Sequence, residues 1–146
     1  MAGHELDRFI EAQERDYERA LAEIRAGQKC THWIWYVFPQ LQGLGRSDYC
    51  HIYGIYGLEE ATDYLANECL SERLVTISRA LLELDTNDPV QVLGKIDARK
   101  VRSCMTLFAL VEGADPVFRQ VLDKFYDGAP DERTLELLGV AWPSQD

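Results

Sequence analysis

The sequence predicts an all-α, single-domain protein, a compact bundle of about seven to nine helices, several of them short. Apolar residues recur at helical spacing along most of the chain. Residues that start and end helices stand between these segments. The connections are mostly a few residues long, with no internal repeat, low-complexity segment or linker. We therefore expect one domain over residues 1–146, with an ordered core at about 4–140 and a polar C-terminal tail.

The first helix is predicted over residues 4–26 by apolar residues at steps of three and four, and Gly27 ends it. Gln13 is a polar member of this apolar stripe and needs buried partners. Residues 31–38 (THWIWYVF) have no clear period, so a buried strand and a buried helix remain alternatives. We favour a short helix that Thr31 caps and Pro39 ends.

Residues 40–46 (QLQGLGR) predict a tight loop, and Ser47 is a good N-cap for a short helix that follows it. Residues 58–66 predict the next helix. After it, an unbroken stripe of leucine and isoleucine at steps of four and three predicts a long helix: Leu70, Leu74, Ile77, Leu81 and Leu84.

Capping carboxylates predict the helices of the C-terminal half. Asp88 and Asp115 each precede a proline, which fits the first turn of a helix because its missing N–H is not needed there. Asp97 is predicted to cap a helix that runs to about Val111, and Asp131 precedes a short final helix.

Composition excludes several classes of protein. Apolar residues make up 47% of the 146-residue chain and charged residues 27%, which is ordinary globular composition. The longest apolar run, residues 33–39, is too short to span a bilayer. Residues 1–7 lack the basic and apolar regions of a signal peptide, so we expect a cytoplasmic protein with no membrane partner.

The formal net charge of −10 opposes a phosphate backbone at long range, so we expect no binding of a nucleic acid backbone. A local basic surface can still bind a small anion. The four cysteines lie far apart, with no CxxC pair and no ligand spacing typical of zinc. We expect reduced thiols, no metal and no cofactor.

Residues 32–47 combine bulky aromatic side chains with the glycine loop. Aromatic rings form apolar walls, glycines let a ligand approach the backbone, and a helix N-terminus offers N–H groups to an anion. The loop is neither a Walker loop nor a dinucleotide fingerprint, because the glycine spacing, the Lys-Ser/Thr pair and the preceding strand are missing. The alternative is that the aromatic residues only fill the core. Five residues here are candidate ligand-binding residues: Trp35, Gln40, Gly43, Gly45 and Ser47.

Residues 97–108 place guanidinium and hydroxyl groups at steps of three and one, on what we take to be one helix face. Such groups suit a carboxylate or a phosphate, and Lys95 and Lys100 add positive charge. We take Arg102, Ser103 and Thr106 as candidate ligand-binding residues. The alternative is a solvated face whose arginines pair with surplus acids and whose hydroxyls bond back to their own helix.

His32 is the histidine placed where a general acid or base would be useful, directly before the aromatic residues. We take it as the candidate catalytic residue of a hydrolase or transferase. A hydrogen-bonded structural histidine is the alternative. No Cys or Ser has a base next to it in the sequence, so the question of enzymatic activity stays open.

The string at residues 32–47 (HWIWYVFPQLQGLGRS) resembles the signature of a bacterial and fungal family known as the domain of unknown function 1810. The likeness extends along nearly the whole chain, including the first helix and residues 102–108. The resemblance implies a small, mainly α-helical domain and supplies no accepted activity. Family members often carry a proline or a second aspartate around Asp97, whereas this chain has Ile96-Asp97-Ala98, so we assign Asp97 only the role of a cap.

Motif and periodicity together predict one cleft, lined by polar groups that core packing alone does not require. Across it, His32, Trp35, Gln40 and the glycine loop would face a second set of polar residues: Gln13, Tyr17, Arg102, Ser103 and Thr106.

Two functions follow. The first is a domain that binds, or an enzyme that acts on, a polar or anionic metabolite such as a nucleotide, phosphate or carboxylate. A base would stack on Trp35 or Tyr36 and the phosphate would meet Arg102. The alternative is a protein-interaction or regulatory module without catalytic activity, whose acidic exterior meets a basic partner.

Overall fold

Nine α-helices make up the part of the chain that the structure, a computed structural model, describes: residues 2–143, with side chains from Leu6 onwards. They are α1 (Ala2–Arg25), α2 (Ile34–Val37), α3 (Asp48–Tyr53), α4 (Leu58–Ala66), α5 (Glu68–Leu82), α6 (Pro89–Leu93), α7 (Lys95–Ala109), α8 (Val117–Tyr126) and α9 (Glu132–Leu138). Within these residues there is no strand, and Leu41 and Ile55 form an isolated parallel bridge. The predicted all-α fold is confirmed.

α7 lies at the centre of the bundle, where it contacts α2, α4, α6, α8 and α9, while α1 packs on α2, α4 and α5. A chain of aromatic rings crosses the core from Phe9 through Tyr64 and Phe108 to Phe118, with centroids 5.3, 5.0 and 5.9 Å apart. Each such pair contributes about 0.5 to 1.5 kcal/mol beyond the burial of its area. These four rings join α1, α4, α7 and α8, and so fix the position of α7 relative to the N-terminal half of the protein.

Side-chain caps start several helices as the sequence predicts. The Ser47 hydroxyl accepts a hydrogen bond from the Cys50 amide (3.2 Å), and the Asp88 carboxylate accepts one from the Val90 amide (3.0 Å). Asp131 caps α9 in the same way. These predictions are confirmed, because each depends on a side chain and a backbone amide only two or three residues apart.

Two predicted caps are wrong. α7 begins at Lys95, directly after Gly94 with φ +85°, so Asp97 lies in the first turn of the helix and does not cap it. Thr31 does not cap α2, because its hydroxyl donates to the Glu23 carboxylate (2.6 Å) and Trp33 is the residue before the helix.

None of the helices within residues 2–143 combines the length and the apolar character that crossing a bilayer requires.

Candidate functional site

Glu23 of α1 holds the segment that precedes the aromatic residues. Its carboxylate accepts hydrogen bonds from the Cys30 amide (2.7 Å), the Thr31 amide (3.0 Å) and hydroxyl (2.6 Å), and the Trp33 indole (2.9 Å). Burial raises the pKa of Glu23, but these hydrogen bonds outweigh burial and lower the pKa from 4.5 to about 2. Trp33 is thus a fully buried anchor that fixes where the chain turns towards Trp35.

The glycine loop, residues 40–46, packs closely against α3. Gly43 has φ +99°, in the left-handed region that favours glycine. A Cβ atom on Gly45 would lie 2.2 Å from the Cys50 sulfur, so a larger residue would push the loop away from α3. Ser47, the cap of α3, follows directly. Gly43 therefore allows the backbone to turn, and Gly45 allows the loop to lie close to α3.

The glycine loop, α7 and the start of α9 surround a depression of about 350 Å³, which we call the cationic groove. Its lining joins loop residues to one face of α7 and two residues near the start of α9: Gln40, Leu44, Gly45, Ile96, Arg99, Lys100, Ser103, Asp131 and Arg133. Three residues predicted from the sequence, Gln40, Gly45 and Ser103, thus meet in one place.

Three cations and one carboxylate line the cationic groove. Arg99 and Arg133 are exposed, and neither guanidinium makes an ion pair or a hydrogen bond with a residue that the structure describes. The Lys100 ammonium lies 3.7 Å from the Asp97 carboxylate. Asp131 uses its carboxylate to cap α9. The groove is therefore positively charged in a chain whose net charge is −10.

Trp35, Tyr49 and Tyr53 form an aromatic wall beside the groove. The ring centroids of Trp35 and Tyr49 are 4.6 Å apart, and those of Tyr49 and Tyr53 are 6.3 Å apart. Lys100 and Gln40 line both the groove and a small cavity of about 10 Å³ that the wall borders. The wall and the groove therefore form one continuous surface.

His32 lies at the aromatic wall, outside the cationic groove. It lines a depression of about 340 Å³ together with Arg15, Tyr36 and the three residues of the wall. The Tyr36 hydroxyl donates to the Asp16 carboxylate. Burial raises the pKa of Tyr36, and the hydrogen bond to Asp16 raises it further.

Gln13 and Tyr17 belong to α1 and do not line the groove. The Gln13 amide donates to the Tyr36 carbonyl (2.7 Å) and the Tyr64 hydroxyl (3.1 Å), which confirms that this buried amide has partners. The Tyr17 hydroxyl donates to the Arg73 carbonyl (2.8 Å), and burial raises the pKa of Tyr17 to about 12. Both residues line a separate depression of about 550 Å³ with four glutamates of α1 and α5.

Arg102 and Thr106 are used in contacts within the fold. The Arg102 guanidinium donates to the Ala129 carbonyl (3.1 Å) and lies 5.7 Å from the Tyr126 ring centroid. The fully buried Thr106 hydroxyl donates to the Arg102 carbonyl (2.8 Å) and accepts from the Asp131 amide (2.8 Å).

The structure therefore does not bring the predicted residues to a single cleft. Successive residues of an α-helix differ by about 100° around its axis. The side chains of Arg102 and Ser103, one residue apart, therefore leave the helix in different directions. The residue that shares the groove with Ser103 is Arg99, four positions earlier. Ser103 also donates to the Arg99 carbonyl (3.1 Å), as the alternative interpretation of this helix predicts.

Sequence reasoning missed Tyr49, Tyr53, Arg99 and Arg133 as site residues and treated Lys100 only as added charge. The four-residue spacing of Arg99 and Ser103 is the local signal that finds the groove face of α7. For Arg133 there is no local signal, because it reaches the groove through the packing of α9 on α7.

All four cysteines are free thiols. In the part of the chain whose side chains are described, no three His, Cys, Asp or Glu residues are grouped to hold a metal ion.

The fold and this surface define an all-α protein with a positively charged groove beside an aromatic wall. Residues 3–138 match the family described as "Protein of unknown function (DUF1810)", and the chain belongs to this family. It is similar to the conserved hypothetical protein Rv1873 from Mycobacterium tuberculosis, whose crystal structure matches with a TM-score of 0.90 and 41% identity, covering 93% of this chain and 97% of that one. A comparison with curated proteins finds no match. The family resemblance seen in the sequence is confirmed.

Proposed function

We propose that the protein binds a small metabolite bearing a phosphate or carboxylate group in the cationic groove. The observation that carries the proposal is the pair of guanidinium groups, Arg99 and Arg133, which border one hollow together with Lys100. Carboxylates are in excess in this chain, and arginines usually pair with them. Two arginines without such a partner among the described residues support an anion site at this hollow.

The size and the other lining groups of the groove support a small ligand. A volume of about 350 Å³ lies at the lower end of small-molecule sites. Arginine donates two parallel hydrogen bonds to a carboxylate or phosphate, which fixes the orientation of the anion. Asp131 adds an acceptor, which supports a ligand that also carries hydroxyl groups.

The proposal keeps Gln40, Gly45 and Ser103 from the sequence analysis and transfers the anion-binding role from Arg102 to Arg99 and Arg133. The proposal gives His32 no part in binding the anion, because it lines the neighbouring depression and not the groove. A binding domain is the function that the geometry supports best.

A phosphate-bearing ligand is expected to raise the melting temperature of the wild-type protein. At a ligand concentration about 100-fold above Kd, binding adds about 2.7 kcal/mol. For a domain of this size, that free energy corresponds to a rise of about 5 to 10 °C. Differential scanning fluorimetry with sugar phosphates, nucleotides and dicarboxylates measures the shift. The double variant Arg99→Gln/Arg133→Gln should abolish it.

Arg25→Gln is the matched control, because Arg25 is an exposed arginine at the end of α1 and lies outside the groove. This variant should respond like the wild type. A full shift in the double variant, or no shift with any compound, contradicts the proposal. The alternative, a protein-interaction module, predicts instead a protein partner whose binding weakens steeply as salt rises.

A further inference from the structure

The cationic groove ends at the aromatic wall, and two residues belong to both. Lys100 and Gln40 line the groove and the small cavity beside Trp35 and Tyr49. The Lys100 ammonium lies 5.8 Å from the centroid of the Trp35 ring, within the range of cation–π attraction. An anion held at Lys100 therefore places the rest of its molecule next to the wall.

We propose that the ligand of the cationic groove is a nucleoside phosphate, whose phosphate binds at Arg99, Lys100 and Arg133 and whose base stacks on the aromatic wall. This inference rests on the proposed anion-binding function and adds the class of the ligand.

The exposure of the aromatic wall supports a ligand that carries a planar ring. Tyr49 packs against Trp35 and Tyr53, yet the residue is 50% exposed. Aromatic surface of this kind stacks favourably on a nucleobase, because every base presents a π-face. The depression of about 340 Å³ on the His32 side of the wall offers space for a base without displacing core residues.

The Gln40 side chain supports recognition of the ribose. Its amide carries both donors and an acceptor, and it makes no hydrogen bond with a side chain or backbone group in the described part of the chain. Gln40 lies where the wall meets the groove, between the positions assigned to the base and to the phosphate. A nucleotide carries its ribose between the base and the phosphate, and the ribose hydroxyls both donate and accept hydrogen bonds, as the amide does.

Isothermal titration calorimetry with matched probes tests the inference. The probes are the four common nucleoside 5′-monophosphates, ribose 5-phosphate, which lacks the base, and adenosine, which lacks the phosphate. Stacking on a protein ring corresponds to about a 5- to 150-fold gain in affinity. At least one nucleotide should therefore bind the wild type about tenfold more tightly than ribose 5-phosphate.

Tyr49→Ala and Trp35→Leu should each reduce this ratio at least about fivefold. Tyr49→Ala should leave the affinity for ribose 5-phosphate unchanged, because the ring that lies near the Lys100 ammonium is that of Trp35. Ile52→Ala is the matched control, since Ile52 is 51% exposed on the same helix and does not line the wall or the groove. It should keep the full ratio. Melting curves of all variants verify that they are folded.

The outcomes separate the two proposals. If ribose 5-phosphate binds and no nucleotide binds more tightly, the anion site stands and the inference about the base is overturned. If both wall variants still bind the nucleotide more tightly than ribose 5-phosphate by the wild-type ratio, the inference about the base is also overturned. If neither ribose 5-phosphate nor any nucleotide binds, both proposals fail.

Discussion

Replacing Asp97 with asparagine is expected to destabilise the protein by about 3 to 5 kcal/mol. The Lys29 side chain is only 6% exposed, and its ammonium lies 2.8 Å from the Asp97 carboxylate. Asparagine keeps an amide oxygen but no charge, so the ammonium would have only neutral partners: that oxygen, the Thr31 carbonyl (2.6 Å) and the Trp33 ring, whose centroid is 4.9 Å away. A buried cation without its counter-charge is costly, and urea denaturation measures the loss of unfolding free energy.

Two further variants isolate the ion pair as the cause. The double variant Asp97→Asn/Lys29→Met removes both charges and should be more stable than Asp97→Asn alone. Asp123→Asn, at an exposed position of α8, should change the unfolding free energy by no more than about 0.5 kcal/mol. A loss below about 1 kcal/mol for Asp97→Asn, or a double variant as unstable as the single one, contradicts the account.

Replacing Glu23 with glutamine is expected to cost about 1.5 to 3 kcal/mol at neutral pH, the range for hydrogen bonds to a charged group. Glutamine has the same shape but is neutral: its carbonyl oxygen can replace Oε1, which accepts from Cys30, Thr31 and Trp33, and its NH2 group then replaces Oε2, which accepts from the Thr31 hydroxyl. The charge and the hydrogen bond at Oε2 are lost. Denaturation in urea gives the difference from the wild type, and Glu11→Gln at an exposed position of the same helix serves as the control.

The effect of Glu23→Gln should depend on pH in a defined window. The pKa of Glu23 is about 2 in the folded protein against an ordinary value of 4.5, so the ionised carboxylate stabilises the fold. This stabilisation is complete above about pH 5 and disappears as the pH falls through 4.5 towards 2. The stability gap between the wild type and the variant should therefore narrow over that window. A gap of constant size down to about pH 3 would show that the carboxylate charge is not its source.

Most of the fold could be predicted from the sequence because its signals are local. The leucine stripe of α5 and the caps Ser47, Asp88 and Asp131 act within three or four residues along the chain. The prediction that Asp97 caps α7 is wrong because an aspartate before an apolar pattern has the same sequence signature at a cap and in a first turn. The positive φ of Gly94 decides between the two, and it is not visible in the sequence.

The candidate site could be predicted only in part. The loop residues Gln40 and Gly45 are predictable because residues 32–47 place a glycine loop directly after bulky aromatic side chains, and Ser103 is predictable as a hydroxyl on a helix that carries arginine and lysine. Arg102 does not join Ser103 in the groove, because the prediction treats a one-residue step as staying on one helix face, whereas that step turns about 100° around the axis. Arg133 reaches the groove through the packing of α9 on α7, which no pattern along the chain encodes.

The binding of an anion in the cationic groove is tested most directly by NMR titration of the 15N-labelled protein with ribose 5-phosphate. The account predicts that the amide signals that shift belong to the glycine loop, residues 40–46, to residues 99–103 of α7 and to residues 131–133 at the start of α9. Signals that shift instead around Gln13, Tyr17 and α5, or a spectrum that stays unchanged at millimolar ligand, would contradict it.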